Sequence, residues 1–327
     1  MTAVSADKKG ALDSLPLVAT KAEPVADHGP ALQPKHATLF RELNDLKRIR
    51  SAGRDGSIAT RLFTAGWAAL AAGVAPEQTM RGTVAAALAA VRLGDLDRFG
   101  LAQCGLSADA CVSVLQRGFD EVSAAIDCKL ATSLRAALAQ AAWPVSEAPV
   151  FVRLLADQPR AGVTCPGRPR LVFEPPENHA EHSLMVAVYG VVAAPTYGAD
   201  PTAVFLAAMS HHLHGAVVPD SGFTGELLLG DHLEAVVVHG REQAFAELPK
   251  PLTVVLRQAL RPIASDQTPE AKAFHAADVI DRVLQIEQHL KASRTTMRDV
   301  IDDFGLVHDG PVKKFHDRVL NDVGLSQ

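Results

Sequence analysis

The chain has 327 residues, 48% of them hydrophobic, which is enough for one large domain or two ordinary ones. Aromatics are only 5% while Ala and Leu are abundant, a mix that favours helices over a β-sandwich. With a net charge of −5 and no long basic run or basic–aromatic interleaving, the sequence argues against binding to a nucleic-acid duplex. Cys104, Cys111, Cys128 and Cys165 match neither a zinc ribbon nor a CxxC redox pair, and read as small apolar residues in a reducing compartment. The first residues lack the apolar core of a signal peptide, and no apolar run reaches the roughly 20 residues that span a bilayer. The expectation is a cytoplasmic protein with no membrane contact.

Residues 1–35, rich in Ala, Pro, Asp and Lys without periodicity, read as a disordered tail. Helical patterning begins near His36, where Leu39, Leu43, Leu46 and Ile49 recur at helical spacing. Lys47, Arg48 and Arg50 in that segment read as a solvated helix face. Further helices are predicted over Ser57–Ala72, with Gly73 as C-cap, from Pro76 to about Leu93, from Ser107 onward, and over Asp127–Ala142. Residues 36–143 thus form an N-terminal helical region without a cluster of catalytic residue types. Residues 144–176 contain seven prolines and are read as a linker. A second helical domain is expected over 177–292, and a C-terminal helical extension over 293–327, with an amphipathic helix at 311–323.

The chemistry collects in the second domain. Eight of the 13 histidines lie between 179 and 275, in three groups. The first is Glu177-Asn-His-Ala-Glu-His-Ser183, at the start of a helix, with His179 and His182 on one face. The second is Ser210-His-His-Leu-His214, at the end of an apolar helix, where His211 and His214 share a face and His212 points about 100° away. The third, His275-Ala-Ala-Asp-Val-Ile-Asp281, lies inside a helix from about Pro269 to Leu290. Imidazole and carboxylate suit Zn, Mn, Fe or Co, and three helices giving one or two ligands each can build such a site. A lone histidine on an apolar helix is more often a satisfied core residue than a ligand. By pattern alone, Asp278 falls opposite the apolar stripe of Ala276, Ile280 and Val283 and reads as a solvated face.

The order of these groups resembles the HD superfamily of metal-dependent phosphohydrolases, and more closely its bacterial 5′-deoxynucleotidase branch. Glu177–Ser183 is similar to that branch's ENxAEHS, Ala207–His212 to the segment ending in a His-Asp doublet, and Ala276–Asp278 to the late Ala-Asp. The resemblance covers about 115 residues, roughly a third of the chain. It implies an all-α HD bundle and the metal ligands His182, His211, His212 and Asp278, holding one divalent transition metal ion (Fe, Mn, Co or Zn). His212 stands where the family carries Asp, which leaves the site less negative and poorer for Mg. Glu226 and Asp231 reproduce the spacing of the family's catalytic Glu and Asp after an insertion, and would steer water or act as general acid if that loop folds back. Arg170, with Arg168 beside it, is the candidate for binding a substrate phosphate.

The implied function is a phosphohydrolase acting on a nucleotide or other small phosphate ester. Two alternatives stay open. One is an HD-fold di-iron oxygenase, for which His232 and His239 supply the count of extra histidines. The other is a non-catalytic HD module that senses a ligand, or binds a protein partner or a second copy through the N-terminal helices. The literal His308-Asp309 pair, followed by Gly310-Pro311, reads as turn chemistry.

Overall fold

The computed structural model of the protein describes residues 31–140 and 146–292. Among these residues there are helices, isolated β-bridges and loops, but no strand, so the fold is all-α as expected. The expected helix at 311–323, the His308-Asp309 pair and most of the predicted tail lie outside the described residues.

The helices of the N-terminal half are α1 (Pro34–Asn44), α2 (Ile58–Ala71), α3 (Pro76–Leu93), α4 (Arg98–Gln103), α5 (Ala108–Asp120) and α6 (Cys128–Ala137). Their starts follow local chemistry: Ser57, Asp97, Ser107 and Asp127 each accept a hydrogen bond from a first-turn backbone N–H, satisfying a donor that the helix cannot. The Pro-rich stretch 144–176 contains its own helix, α7 (Val150–Asp157), followed by a loop pinned by the isolated bridges Pro159–Asn178 and Val163–Leu171.

The second half consists of α8 (His179–Tyr197), α9 (Pro201–Ser210), α10 (Gly222–Leu229), α11 (Leu233–Ala246), α12 (Lys250–Leu260) and α13 (Pro269–Ala292). Among the described helices, α8 is central, packed by α2, α7, α9 and α13. Every residue from His179 to Ala194 is buried, which fits a sequence that is apolar on all sides rather than on one stripe. Its start is fixed by a capping box in which Asn178 Oδ1 accepts from Glu181 N (2.9 Å) and Glu181 Oε2 accepts from Asn178 N (3.1 Å). Gly198, at φ 69°, ends it in the left-handed region. Helices α9 and α13 pack closely on α8, and Gly190 makes room for Val204 of α9.

N-terminal helices also pack onto α8. Helix α2 lies against α8, and residues such as Phe63, Trp67 and Phe151 share one continuous apolar core with Met185 and Phe205. Polar contacts reinforce this. Ser57 Oγ donates to the buried Glu181 Oε1 (2.6 Å), so the cap of α2 also holds the capping residue of α8. Lys47, expected on a solvated face, is instead fully buried, because two carboxylates surround its ammonium.

Candidate metal centre

The capping box at Asn178 places the first turn of α8 inside the protein, so that His182 points into the bundle with no exposure. Its Nδ1 lies 2.7 Å from Asp281 Oδ2. A carboxylate only accepts, so Nδ1 carries the proton and Nε2 is left facing the cluster.

Helix α9 stops at Ser210, and the chain tightens into a 3-10 turn over Leu213–Ala216. This break changes the expected geometry of the histidine run. His211 and His212 both reach His182, with ring centroids 5.2 and 5.1 Å from it, and lie 4.2 Å from each other. His214, expected to share a face with His211, turns away beyond His212. His211 Nδ1 donates to Ala208 O (2.6 Å), which leaves its Nε2 free, 3.2 Å from His182 Nε2.

Helix α13 supplies the carboxylates. The pattern reading of Asp278 as solvated is corrected here. Val279 and Val283 are the exposed residues, at 54% and 59%, whereas Ala277, Asp278, Asp281 and Leu284 face inward. The inward face is polar in the middle because it meets the histidines. Asp278 Oδ1 is 3.3 Å from His182 Nε2 and has no hydrogen-bond partner, while its Oδ2 is held by Arg282 at 2.7 Å.

Three acceptors therefore converge: His182 Nε2, His211 Nε2 and Asp278 Oδ1. Two neutral imidazoles oriented this way would press lone pairs together at 3.2 Å, an arrangement relieved by a metal ion between them or by a proton on one of the rings. The electrostatics agree. Burial and the Arg160 charge act to lower the His182 imidazole, yet the neighbouring carboxylates of Asp278 and Asp281 outweigh them and raise its pKa. Burial and the neighbouring His182 push His211 down to about 3. Burial acts to raise Asp278, but His182 outweighs it and holds the carboxyl below the usual range. The donor set of two imidazoles and a carboxylate, one oxygen of it orphaned, fits a divalent transition metal. The Asp281–His182 bond supplies the outer carboxylate that commonly orients a ligating histidine.

His212 is less simple. One nitrogen from each of His182, His211 and His212 falls within 4.8 Å of the others. Arg160 Nη1, however, lies 2.8 Å from His212 Nε2. A guanidinium can only donate, so Nε2 accepts and the neutral ring keeps its proton on the unpartnered Nδ1. His212 thus sits at the cluster with its single lone pair committed to Arg160. Burial first, then His211 and Arg160, keep it neutral, well below the ordinary imidazole pKa.

A cavity of about 360 Å³ opens beside the cluster. Arg160, His179, His212, His214 and Glu177 form its polar side, while Val172, Phe173, Val236 and Ile286 help to form an apolar side. His179 is buried with neither ring nitrogen hydrogen-bonded; burial and the Arg160 charge push its pKa down to about 2. A larger cavity of about 770 Å³ lies among α2–α6, away from these histidines, with Leu62, Ala86, Phe99 and Leu115 in its walls.

The other candidates fall out differently. Glu226, on α10, is exposed but lines the 360 Å³ cavity. Asp231 is exposed in the turn after α10 and is not in the cavity wall. Arg170 is exposed, bonds Ser221 O at 3.4 Å and does not line the cavity; Arg168 is exposed nearby. The arginine that does line this cavity, besides Arg282, is Arg160. His232 and His239 are both exposed, and His239 bonds Gln243, so the structure does not bring them to the cluster. Pattern reading missed Arg160, Asp281 and Lys47. Asp281 stands three residues after Asp278, on the same helical face, and that spacing was a usable signal. Nothing local to Arg160 or Lys47 announced either.

These features define an imidazole–carboxylate cluster of the metal-binding kind in the core of a helical bundle. Residues 153–309 match the family model described as HD domain, which supports placing this segment in the HD superfamily. Neither the curated proteins nor the solved structures contain a match to the chain. Among the described residues, no helix is long and apolar enough to cross a membrane.

Proposed function

We propose that the protein is a metal-dependent phosphohydrolase acting on a nucleotide or another small phosphate ester, with one divalent transition metal ion held by His182, His211 and Asp278. The observation that carries this reading is the convergence of His182 Nε2, His211 Nε2 and the orphaned Asp278 Oδ1 next to a cavity with Arg160 in its wall. A bound metal would supply a water of lowered pKa and polarise a phosphoryl oxygen. The chain's own residues would do the rest.

Arg160 offers a planar set of N–H donors to a phosphate, the geometry suited to bidentate recognition. His212 Nδ1–H and the buried, unpartnered His179 add neutral donors beside it. Were a phosphate to draw Arg160 away, the His212 Nε2 lone pair would be free, and His212 would be a further residue able to hold the metal. Glu226 lines the same cavity, along with Glu177 and Asp220, and would be the exposed carboxylate that moves a proton. Val172, Phe173, Val236 and Ile286 give an apolar wall for the rest of the substrate, and the volume of about 360 Å³ suits a small molecule.

The test is metal analysis of the purified protein together with phosphate release from a panel of nucleoside monophosphates and simple phosphate esters. The expected result is one transition metal ion per chain and hydrolysis that a chelator abolishes and added metal restores. A metal-loaded protein that releases no phosphate from any ester would overturn the hydrolase reading. Two irons with oxygen consumption would replace it by the oxygenase.

A further inference from the structure

Lys47 lies in the 3-10 turn Asp45–Lys47 that follows α1, remote in sequence from every residue of the cluster. Its side chain has no exposure. Nζ donates to Glu177 Oε1 at 2.6 Å and to Asp281 Oδ1 at 2.8 Å. The other oxygen of Asp281 accepts from His182 Nδ1 at 2.7 Å. The turn itself is fixed on α13: Arg48 Nη2 donates to Gln285 Oε1 (2.7 Å) and Asn44 Nδ2 to Gln288 Oε1 (2.9 Å).

One atom each from Glu177, His182 and Asp281 lies within 4.8 Å of the others; with the His182 proton on Nδ1, it is the two carboxylates of this set that can hold a cation. It adjoins the His182, His211 and His212 set and shares His182 with it. The molecule thus offers two adjoining cation positions. A metal ion and an ammonium cannot both fill the second one, and a counter-charge there stabilises the two buried carboxylates in their ionised form.

We propose that Lys47 is a tethered cation that occupies the second cation position of the centre and thereby restricts it to one metal ion. This rests on His182, His211 and Asp278 being the metal ligands. It assigns the N-terminal helical region a part in the site: residue 47 holds Asp281, and Asp281 orients His182. Lys47 is a positioning residue, acting on metal binding through Asp281 without touching the metal or substrate.

The experiment is an equilibrium Mn²⁺ titration of the whole chain, with free Mn²⁺ read by electron paramagnetic resonance. Wild type is compared with Lys47→Gln, Lys47→Met and the double variant Lys47→Met, Glu177→Gln. Wild type should saturate at one ion per chain. Lys47→Gln and Lys47→Met should take a second, weaker ion, magnetically coupled to the first. The double variant should return to one, since the second position has lost a carboxylate. Two ions in wild type overturn the proposal, and this measurement stands even where a variant does not fold. One ion in both single variants, with helical circular dichroism matching wild type, overturns it while leaving the assigned metal ligands intact. No bound ion in wild type overturns the ligand assignment and the proposal together.

Discussion

Asp281 accepts the hydrogen bond of His182 Nδ1–H at 2.7 Å, and that one bond turns the opposite nitrogen of the imidazole toward His211 and Asp278. Asp281→Asn keeps the shape but can present an amide N–H to the ring and stabilise the wrong tautomer. Metal affinity should fall by roughly 10- to 100-fold, the range found for outer partners of ligating histidines. Competition with a calibrated chelator measures it. Unchanged affinity in folded Asp281→Asn would remove Asp281 from the site.

Arg160 and His212 compete for the same lone pair. In Arg160→Ala, His212 Nε2 loses its 2.8 Å donor and becomes free to bind metal, so metal content should stay the same or rise. Phosphate ester turnover should nonetheless drop, since a charged hydrogen bond of about 1.5–3 kcal/mol corresponds to roughly ten- to a hundredfold or slightly more in kcat/KM. The pairing of retained metal with reduced kcat/KM separates this role from a structural one. Lost metal would mean that Arg160 serves mainly to hold His212 in place.

The helices and the placing of His182 at the start of α8 were legible in the sequence for the same reason: both are set locally. Asn178 and Glu181 form the box that starts α8, and the motif containing them also contains His182. Asp278 was misleading because Ala276, Ile280 and Val283 look like a core stripe, yet Val283 is exposed and the other two are only half-buried. A helix that buries carboxylates reverses the usual amphipathic rule, and only the partner histidines on α8 and α9 explain why. Lys47 and Arg160 act through pairings with Asp281, 234 residues away, and with His212, 52 residues away, which no periodicity encodes. The end of α9 at Ser210 had the same effect on the histidine run, since the face arithmetic for His211, His212 and His214 assumed a continuous helix.

The metal-free protein should lose stability as pH falls from 7 to 5. His179, His211, His212 and His214 are all held neutral, chiefly by burial, at about 2, about 3, well below normal and about 4 respectively. Their folded pKa values lie below the unfolded value near 6.5, so below that pH the unfolded chain takes up protons that the folded chain refuses. His182, with its pKa raised by Asp278 and Asp281 against the pull of burial, works in the opposite direction, as does Glu177, raised by burial. The four depressed imidazoles, joined by the lowered His36 and His289, should outweigh the raised His182, Glu177 and Asp45. Thermal unfolding in chelator across that pH range measures the balance, and a midpoint that rises on acidification would contradict it. Bound metal should add stability, more at pH 7 than at pH 5, because protons compete for its ligands.

Gly190 is where the α8–α9 contact leaves no space. A Cβ there would stand 2.6 Å from Val204 Cγ1 and 3.7 Å from the Ala277 Cβ of α13. Gly190→Ala gains helix propensity of up to about 1 kcal/mol but must push α9 away or force Val204 from its rotamer. Overpacking of this kind costs about 1–3 kcal/mol, so the net effect should be destabilising. Because α9 delivers His211 and α13 delivers Asp278, the same displacement should weaken metal binding from a position that touches no ligand. Val204→Ala in the same chain should recover part of both losses by vacating the contested volume. Chemical unfolding with and without metal reads the two effects separately, and a Gly190→Ala protein as stable as wild type would show that α9 is not seated against α8 at this contact.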